Sequence, residues 1–179
     1  VIVGVCLDLE TENSVGDETY VGCGSSTPGD PTNGEGLFNE AMLDVNSDGT
    51  PDITDDACDD VPYLVLTKTV SNMGAIQPDG SFDIDYEITV SNIGGADGTY
   101  DLFDLPNPDD DISFNSASFS SDIPSSGALS TTIPASPGWV LASDETIPAG
   151  TVHTFTVSTN VTLNLTDGNG DDTYTECGR

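Results

Sequence analysis

The chain has 179 residues, of which 32 are Asp or Glu and 2 are Lys or Arg, for a formal net charge of −30 at pH 7. A charge of that sign and size repels nucleic acids and anionic membrane surfaces and excludes them as partners. No run of about 18 apolar residues is present to span a bilayer, and the length suits one domain with a real core, alone or with a fragment of a second.

The same charge opposes a compact fold unless salt or bound divalent cations screen it. Low hydrophobicity with high charge also favours disorder, but the clean strand alternation described below argues against disorder over most of the chain. No basic start followed by an apolar stretch is present, so no signal peptide is expected.

The first segment, 1–9, alternates Val1, Val3, Val5, Leu7 and Leu9 on one face. It is a copy of a segment near the other end. With a two-residue gap in the turn, Val157, Val161, Leu163, Leu165, Gly170, Asp171, Thr173, Tyr174, Cys177 and Gly178 fall on Val1, Val5, Leu7, Leu9, Gly16, Asp17, Thr19, Tyr20, Cys23 and Gly24. The offset is 156 residues before the gap and 154 after it. A self-match at a fixed long period marks a tandem array, and this period suits one whole β domain. The sequence is therefore expected to be one period of a repeating polymer, cut inside a domain.

Residues 24–36 form a loop rich in Ser, Thr, Pro and Gly, and 37–43 are a further apolar segment. An acidic stretch comes next. Within it Asp44, Asn46, Asp48, Gly49, Thr50, Asp52 and Asp55 fit the loop pattern D-x-[DN]-x-[DN]-G with acids at positions nine and twelve. Calcium takes six to eight oxygens, and alternate residues of a tight loop can aim their carboxylates inward. Gly49 supplies the sharp turn, Thr50 its carbonyl, and Asp52 a direct or water-mediated ligand. Asp55 or Asp56 closes the site. Pro51 disfavours a flanking helix, so the loop is closer to thrombospondin type-3 or dockerin-like loops than to a helix pair. A merely acidic turn is the alternative. Asp167-Gly168-Asn169-Gly170-Asp171-Asp172 is a weaker candidate that turn chemistry alone explains.

Pro62 opens the next region. Strands are expected at 64–70, with Leu64, Leu66 and Val70 on one face, and at 82–90, where Phe82, Ile84, Tyr86, Ile88 and Val90 alternate with Asp83, Asp85, Glu87 and Thr89. Further strands are expected at 100–105, 112–119 and 139–141. A long one at 154–165 turns Phe155, Val157, Val161, Leu163 and Leu165 inward. Asp109, Asp110 and Asp111 read as a solvated loop. Turn clusters punctuate these segments, and no stretch holds a helical period. The expected class is all-β, an antiparallel sandwich. Its parts are 1–43 as closing strands of a preceding or neighbouring sandwich, 44–61 as an acidic cation-binding linker, and 62–179 as the sandwich itself.

At this point the residues resemble a known family. Leu66-Thr67-Lys68-Thr69-Val70, Tyr86-Glu87-Ile88-Thr89-Val90 with Ser91-Asn92-Ile93-Gly94, and Asp104-Leu105-Pro106 look like the bacterial surface-repeat domain filed as domain of unknown function eleven. Ile147-Pro148-Ala149-Gly150 before Thr154-Phe155-Thr156-Val157 is similar to its later portion, and Phe38-Asn39-Glu40-Ala41 to the strand that closes it. The resemblance covers most of 62–165 and part of 1–43. It implies an immunoglobulin-like sandwich used in tandem in large secreted adhesins and fibres of Bacteroidetes-like bacteria, without catalysis. The cysteine-bearing segment and the acidic loop depart from the family's minimal pattern.

Four Cys with no C-x-x-C pair and a single His point to disulfides rather than zinc, and so to an oxidising, extracellular setting. Cys23 and Cys177 occupy equivalent positions of successive periods, and Cys58 occurs once. The simplest closure is Cys23 with Cys58, leaving Cys177 for the counterpart of Cys58 in the next unit. A loop of that length contributes on the order of 3–4 kcal/mol in the chain-entropy description. Cys6 has no obvious partner. Asn160 and Asn164 begin N-x-[ST] triplets, which are either glycosylation acceptors or chance products of a Thr-rich strand, chance being favoured. Catalysis has little to stand on. His153 is the only His, no Ser-His-Asp spacing is evident, and Trp139 reads as a core or edge plug.

The expectation is a structural repeat or subunit of an extracellular surface filament or giant adhesin. Its partners are copies of itself, joined head to tail by strand complementation or by chain continuity and stiffened by Ca2+ and disulfides. The alternative is a calcium-dependent ligand- or glycan-binding adhesin module. An enzyme-accessory domain with a dockerin-like loop is the third class, and it usually needs two such loops.

Overall fold

A computed structural model describes residues 24–25, 34–35 and 37–164. The chain divides into two compact units, Val1–Asp59 and Asp60–Arg179. Among the described residues every regular element is a strand.

In the first unit β1 (Gly24–Ser25) pairs antiparallel with β2 (Gly34–Glu35), and β3 (Asn39–Leu43) with β4 (Ile53–Ala57). The stretch 44–61, expected as a linker, thus contains a strand. Ile53 and Thr54 are β-branched and suit a pleated strand. Their backbone, and that of the following Asp55 and Asp56, finds ladder partners in β3, with Leu43 opposite Ile53 and Asn39 opposite Ala57.

The second unit is a sandwich-like arrangement of two antiparallel sheets. Five strands run in the order β5 (Leu64–Met73), β6 (Ser81–Asn92), β11 (Val152–Leu163), β8 (Ile112–Ser121), β9 (Gly127–Leu129). Two more, β7 (Gly98–Asp104) and β10 (Trp139–Ile147), pair with each other. The period-2 pattern dictates the layering. On β11, His153, Phe155, Val157, Thr159 and Val161 are buried while the intervening Thr, Ser and Asn side chains lie on the other face. On β6, Phe82, Ile88 and Val90 are buried, and Asp83 and Glu87 are exposed. One core joins the sheets: Ile88, Val90, Ala117, Phe155 and Val157 from the large one meet Leu102, Trp139, Leu141 and Ile147 from the small one. Each large apolar side chain so enclosed contributes about 1.5–3 kcal/mol.

The outer face of the large sheet is a polar ladder. Asn160 Nδ2 donates to Asp83 Oδ1 at 2.7 Å, Asn115 Nδ2 to Asn160 Oδ1 at 2.8 Å, and Asn72 Nδ2 to Asp85 Oδ2 at 3.1 Å. Outward acidic residues are thereby tied across strands.

Two expectations need correction. Leu66 and Val70 take the inner face, since they pair with Val90 and Tyr86, but they remain 62 % and 59 % exposed. Alternation fixes the face of a side chain, not whether a second layer covers it, and among the described residues two strands face five. Asp111 is not solvated: it is 2 % exposed. The Asp109–Ile112 turn, closed by Ile112 N–H to Asp109 O at 3.0 Å, tucks it in, and its carbonyl accepts from Asn164 N–H at 2.8 Å.

Candidate metal loop and exposed strand edge

The loop between β3 and β4 is built by its own side chains. Asp44 Oδ1 accepts from Asn46 N–H at 3.1 Å and Ser47 N–H at 2.6 Å, and its Oδ2 from Gly49 N–H at 2.8 Å. Asn46 Oδ1 accepts from Asp48 N–H and Asp48 Oδ1 from Thr50 N–H, each at 2.9 Å. Asp52 Oδ2 reaches back to Val45 N–H at 3.0 Å. These are successive Asx turns. Gly49 takes φ +88°, the left-handed region that glycine enters without cost. The Gly49 N–H, followed by those of Ser47 and Asn46, holds the Asp44 carboxyl below its ordinary range.

Asp44 is half-buried, and the other side chains of the sequence pattern are exposed. Asp44, Asn46 and Asp48 are linked through intervening backbone amides. Asp55 and Asp56 stand on β4, opposite Ala41 and Glu40, and as neighbours on a strand they point to opposite faces. Among the described residues no three of His, Cys, Asp or Glu are grouped to hold a metal ion. The donor set is nonetheless all oxygen, the chemistry a hard cation takes, and the Asn46 side chain and the Thr50 carbonyl add oxygens of other types. Cys58, just after β4, is in a disulfide. Cys6, Cys23 and Cys177 lie outside the described residues, as do residues 1–9 and 165–179.

The sequon residue Asn160 sits mid-strand on β11 with both ends of its amide bonded in the polar ladder. Asn164 comes just after the strand and is exposed. His153 is buried, its Nδ1 2.8 Å from the Tyr100 hydroxyl. Burial, then Glu145 and Asp122, push that phenol up to about 12. Trp139 is a core residue. Its indole meets Phe114 edge-on at 5.5 Å between centroids, and Nε1–H donates to Ser130 O at 3.1 Å. Gly138, before it, has φ +117°, and a Cβ there would lie 2.4 Å from the Asp104 carbonyl. Only glycine permits this approach of the 138 turn to the end of β7.

Lys68, one of two basic residues, entered the sequence reading only as part of the Leu66–Val70 resemblance and was given no role there. It projects from β5 to Asp104, Nζ to Oδ1 2.5 Å, and lies 4.8 Å from the centroid of the Tyr86 ring. Asp104 is 6 % exposed, so this ammonium neutralises a carboxylate that burial alone would disfavour. Lys68 also lines a groove of about 790 Å³. Met73, Ile84 and Tyr86 form part of its floor, with Leu105 and Pro106 beside them. The pairing of Lys68 with a buried carboxylate is what sequence reading missed: the other inward residues around it on β5, Leu64, Leu66 and Val70, are apolar.

No family model, curated protein or solved structure matches the chain.

Proposed function

We propose that the chain is a structural subunit of an extracellular bacterial surface filament or giant adhesin. In this reading, immunoglobulin-like sandwiches of the surface-repeat kind join end to end, each completed by closing strands from the next unit. The observation that carries the reading is the repeated strand. Residues 157–165 recur as 1–9, and the first of these segments belongs largely to β11, which is bonded on both sides, to β6 and β8. A central strand has one place in a sandwich. A second copy of it belongs with a second sandwich.

The strand order supports the same reading. Within the five-stranded order β5-β6-β11-β8-β9, the first four strands are compatible with the antiparallel neighbour pattern of the four-stranded sheet in immunoglobulin domains, whose opposing sheet carries three strands or more. Here the opposing sheet has β7 and β10 among the described residues.

The 44–56 loop is proposed to take Ca2+ through Asp44, Asn46 and Asp48 side chains and the Thr50 carbonyl. Asp52 and Asp55 or Asp56 complete the set. A bound cation would stiffen the junction and offset local self-repulsion. Cys58 is proposed to pair with Cys23, and Cys177 with the equivalent of Cys58 in the next unit. Peptide mapping under non-reducing conditions checks the pairing, and calorimetric titration with Ca2+ checks the loop. The reading as a whole is tested by negative-stain imaging of the full chain with Ca2+ present. Threads with an axial repeat of about one domain support it. Isolated particles that bind glycans would instead favour a ligand-binding adhesin module.

A further inference from the structure

We infer that Lys68 and Asp104 condense to an amide that joins the two sheets of the sandwich covalently. The bond lies within one chain and does not depend on the end-to-end reading above.

The partners are singular and already in contact. Lys68 is the one lysine of the chain, the other basic residue being Arg179. It stands on β5 of the five-stranded sheet, opposite Ile88, which is 2 % exposed. Its side chain therefore leaves the sheet on the face that carries the core. Asp104 is the last residue of β7, in the facing pair of strands. Its backbone is held by pairing with Trp139 and by the close approach of Gly138 to its carbonyl. Nζ meets Oδ1 at 2.5 Å. A nitrogen that touches a carboxylate oxygen lies close to the attached carbon, and reacting atoms about 3–3.5 Å apart are in near-attack range. Both groups project from paired strands, so their encounter needs no further ordering of the backbone. Such positioning replaces an improbable collision by an effective local concentration of up to about 10⁵–10⁸ M.

The surroundings suit the step. Asp104 is buried, and the Tyr86 ring covers Nζ at 4.8 Å to its centroid. Leu105, Pro106, Phe114 and Trp139 line the same groove. Apolar walls penalise a pair of charges more than an amine beside a carboxylic acid, and a lysine amine freed of its proton is a nucleophile. One proton passes from Nζ to the carboxylate. The Nζ lone pair then bonds to Cγ of Asp104, the C–OH bond breaks, and the hydroxyl leaves as water with a proton from the nitrogen. An ammonium and a carboxylate thereby become one amide and one water. No oxidant, reductant or cofactor enters, and the net charge of the chain is unchanged. The product also removes the cost of keeping an ion pair away from water. It ties β5 to β7 across 36 positions of sequence, so the layers stay joined when the strands between them are pulled or unfolded.

The test is intact-mass spectrometry of the full chain, folded at neutral pH and then denatured and reduced. The expected mass is one water below that of the sequence. Digestion should yield a branched peptide joining the segment around Lys68 to the segment around Asp104. Amine-reactive reagent should label the α-amino group alone, because Lys68 holds the sole ε-amine. Lys68→Arg keeps the positive charge beside Asp104 but does not condense, and should show its full sequence mass. Near-UV circular dichroism of the single Trp reports its fold, and the branched peptide of the unmodified chain identifies the bond whether or not that variant folds. A full sequence mass with Lys68 open to labelling would overturn the inference and leave an ion pair. A missing water with Lys68 still reactive would mark a cyclised Asp-Gly site such as Asp48-Gly49 and would overturn it as well. A branch to any carboxyl other than Asp104 would overturn the assignment.

Discussion

Asn92 is a polar side chain enclosed in the sandwich with both ends of its amide bonded. It is 1 % exposed. Its Oδ1 accepts from the Tyr63 and Gly94 amides at 3.2 and 3.1 Å, and its Nδ2 donates to the Ala96 and Ile147 carbonyls at 2.8 and 3.2 Å. One amide thus ties the start of β5, the β6–β7 turn and the end of β10. Asn92→Ala strands several buried backbone groups and is expected to lower stability by about 2–4 kcal/mol in denaturant titration. The Asn was legible only as part of a turn sequence, because a sequence does not say which backbone groups a side chain will meet. Tyr100 gives a second prediction at this scale. Its pKa is raised from 10.0 to about 12, so the folded state keeps the phenol proton longer than the unfolded chain does. The associated stability is complete below pH 10 and is lost as pH rises toward 12. An alkaline unfolding series should show this decline, and Tyr100→Phe should flatten it.

Among the elements, β6 and β11 were plain in the sequence because each is half-buried along its length. Phe82, Ile88, Phe155 and Val157 are buried where alternation puts them. β4 was not, since two consecutive Asp residues have poor strand propensity and only their pairing with β3 across the loop selects the extended state. β10 continues past the expected 139–141 to Ile147, through register irregularities against β7 that hide its period. The loop between β3 and β4 was legible as a turn pattern, and its Asx ladder arises from the Asp and Asn spacing. The Asp44 carboxylate is stabilised in its charged form. The amides it accepts from are therefore held at neutral pH and released as pH falls through its lowered pKa, below 3.8. The amide resonances of Gly49 and Ser47 should titrate together in that range. Asp44→Ala should abolish the titration and speed hydrogen exchange at both amides.

For the molecule as a whole, charge opposes the proposed assembly. A net charge of −30 drives copies apart, while the Leu66, Val70 and Met73 row on β5 leaves exposed apolar surface that association would cover. Assembly is therefore expected to strengthen as salt rises from about 0.01 M, where screening reaches about 30 Å, to about 0.15 M. Light scattering at a fixed chain concentration measures this. The repeat that motivates assembly was visible in the sequence. The exposure of Leu66 and Val70 was not, because alternation does not say how far a second layer covers a face. Electron cryo-microscopy of the assembled chain tests the central claim most directly. The reconstruction should show residues 1–9 seated in the sandwich of the adjoining subunit. A discrete particle in which residues 1–43 pack into the chain's own sandwich would contradict it.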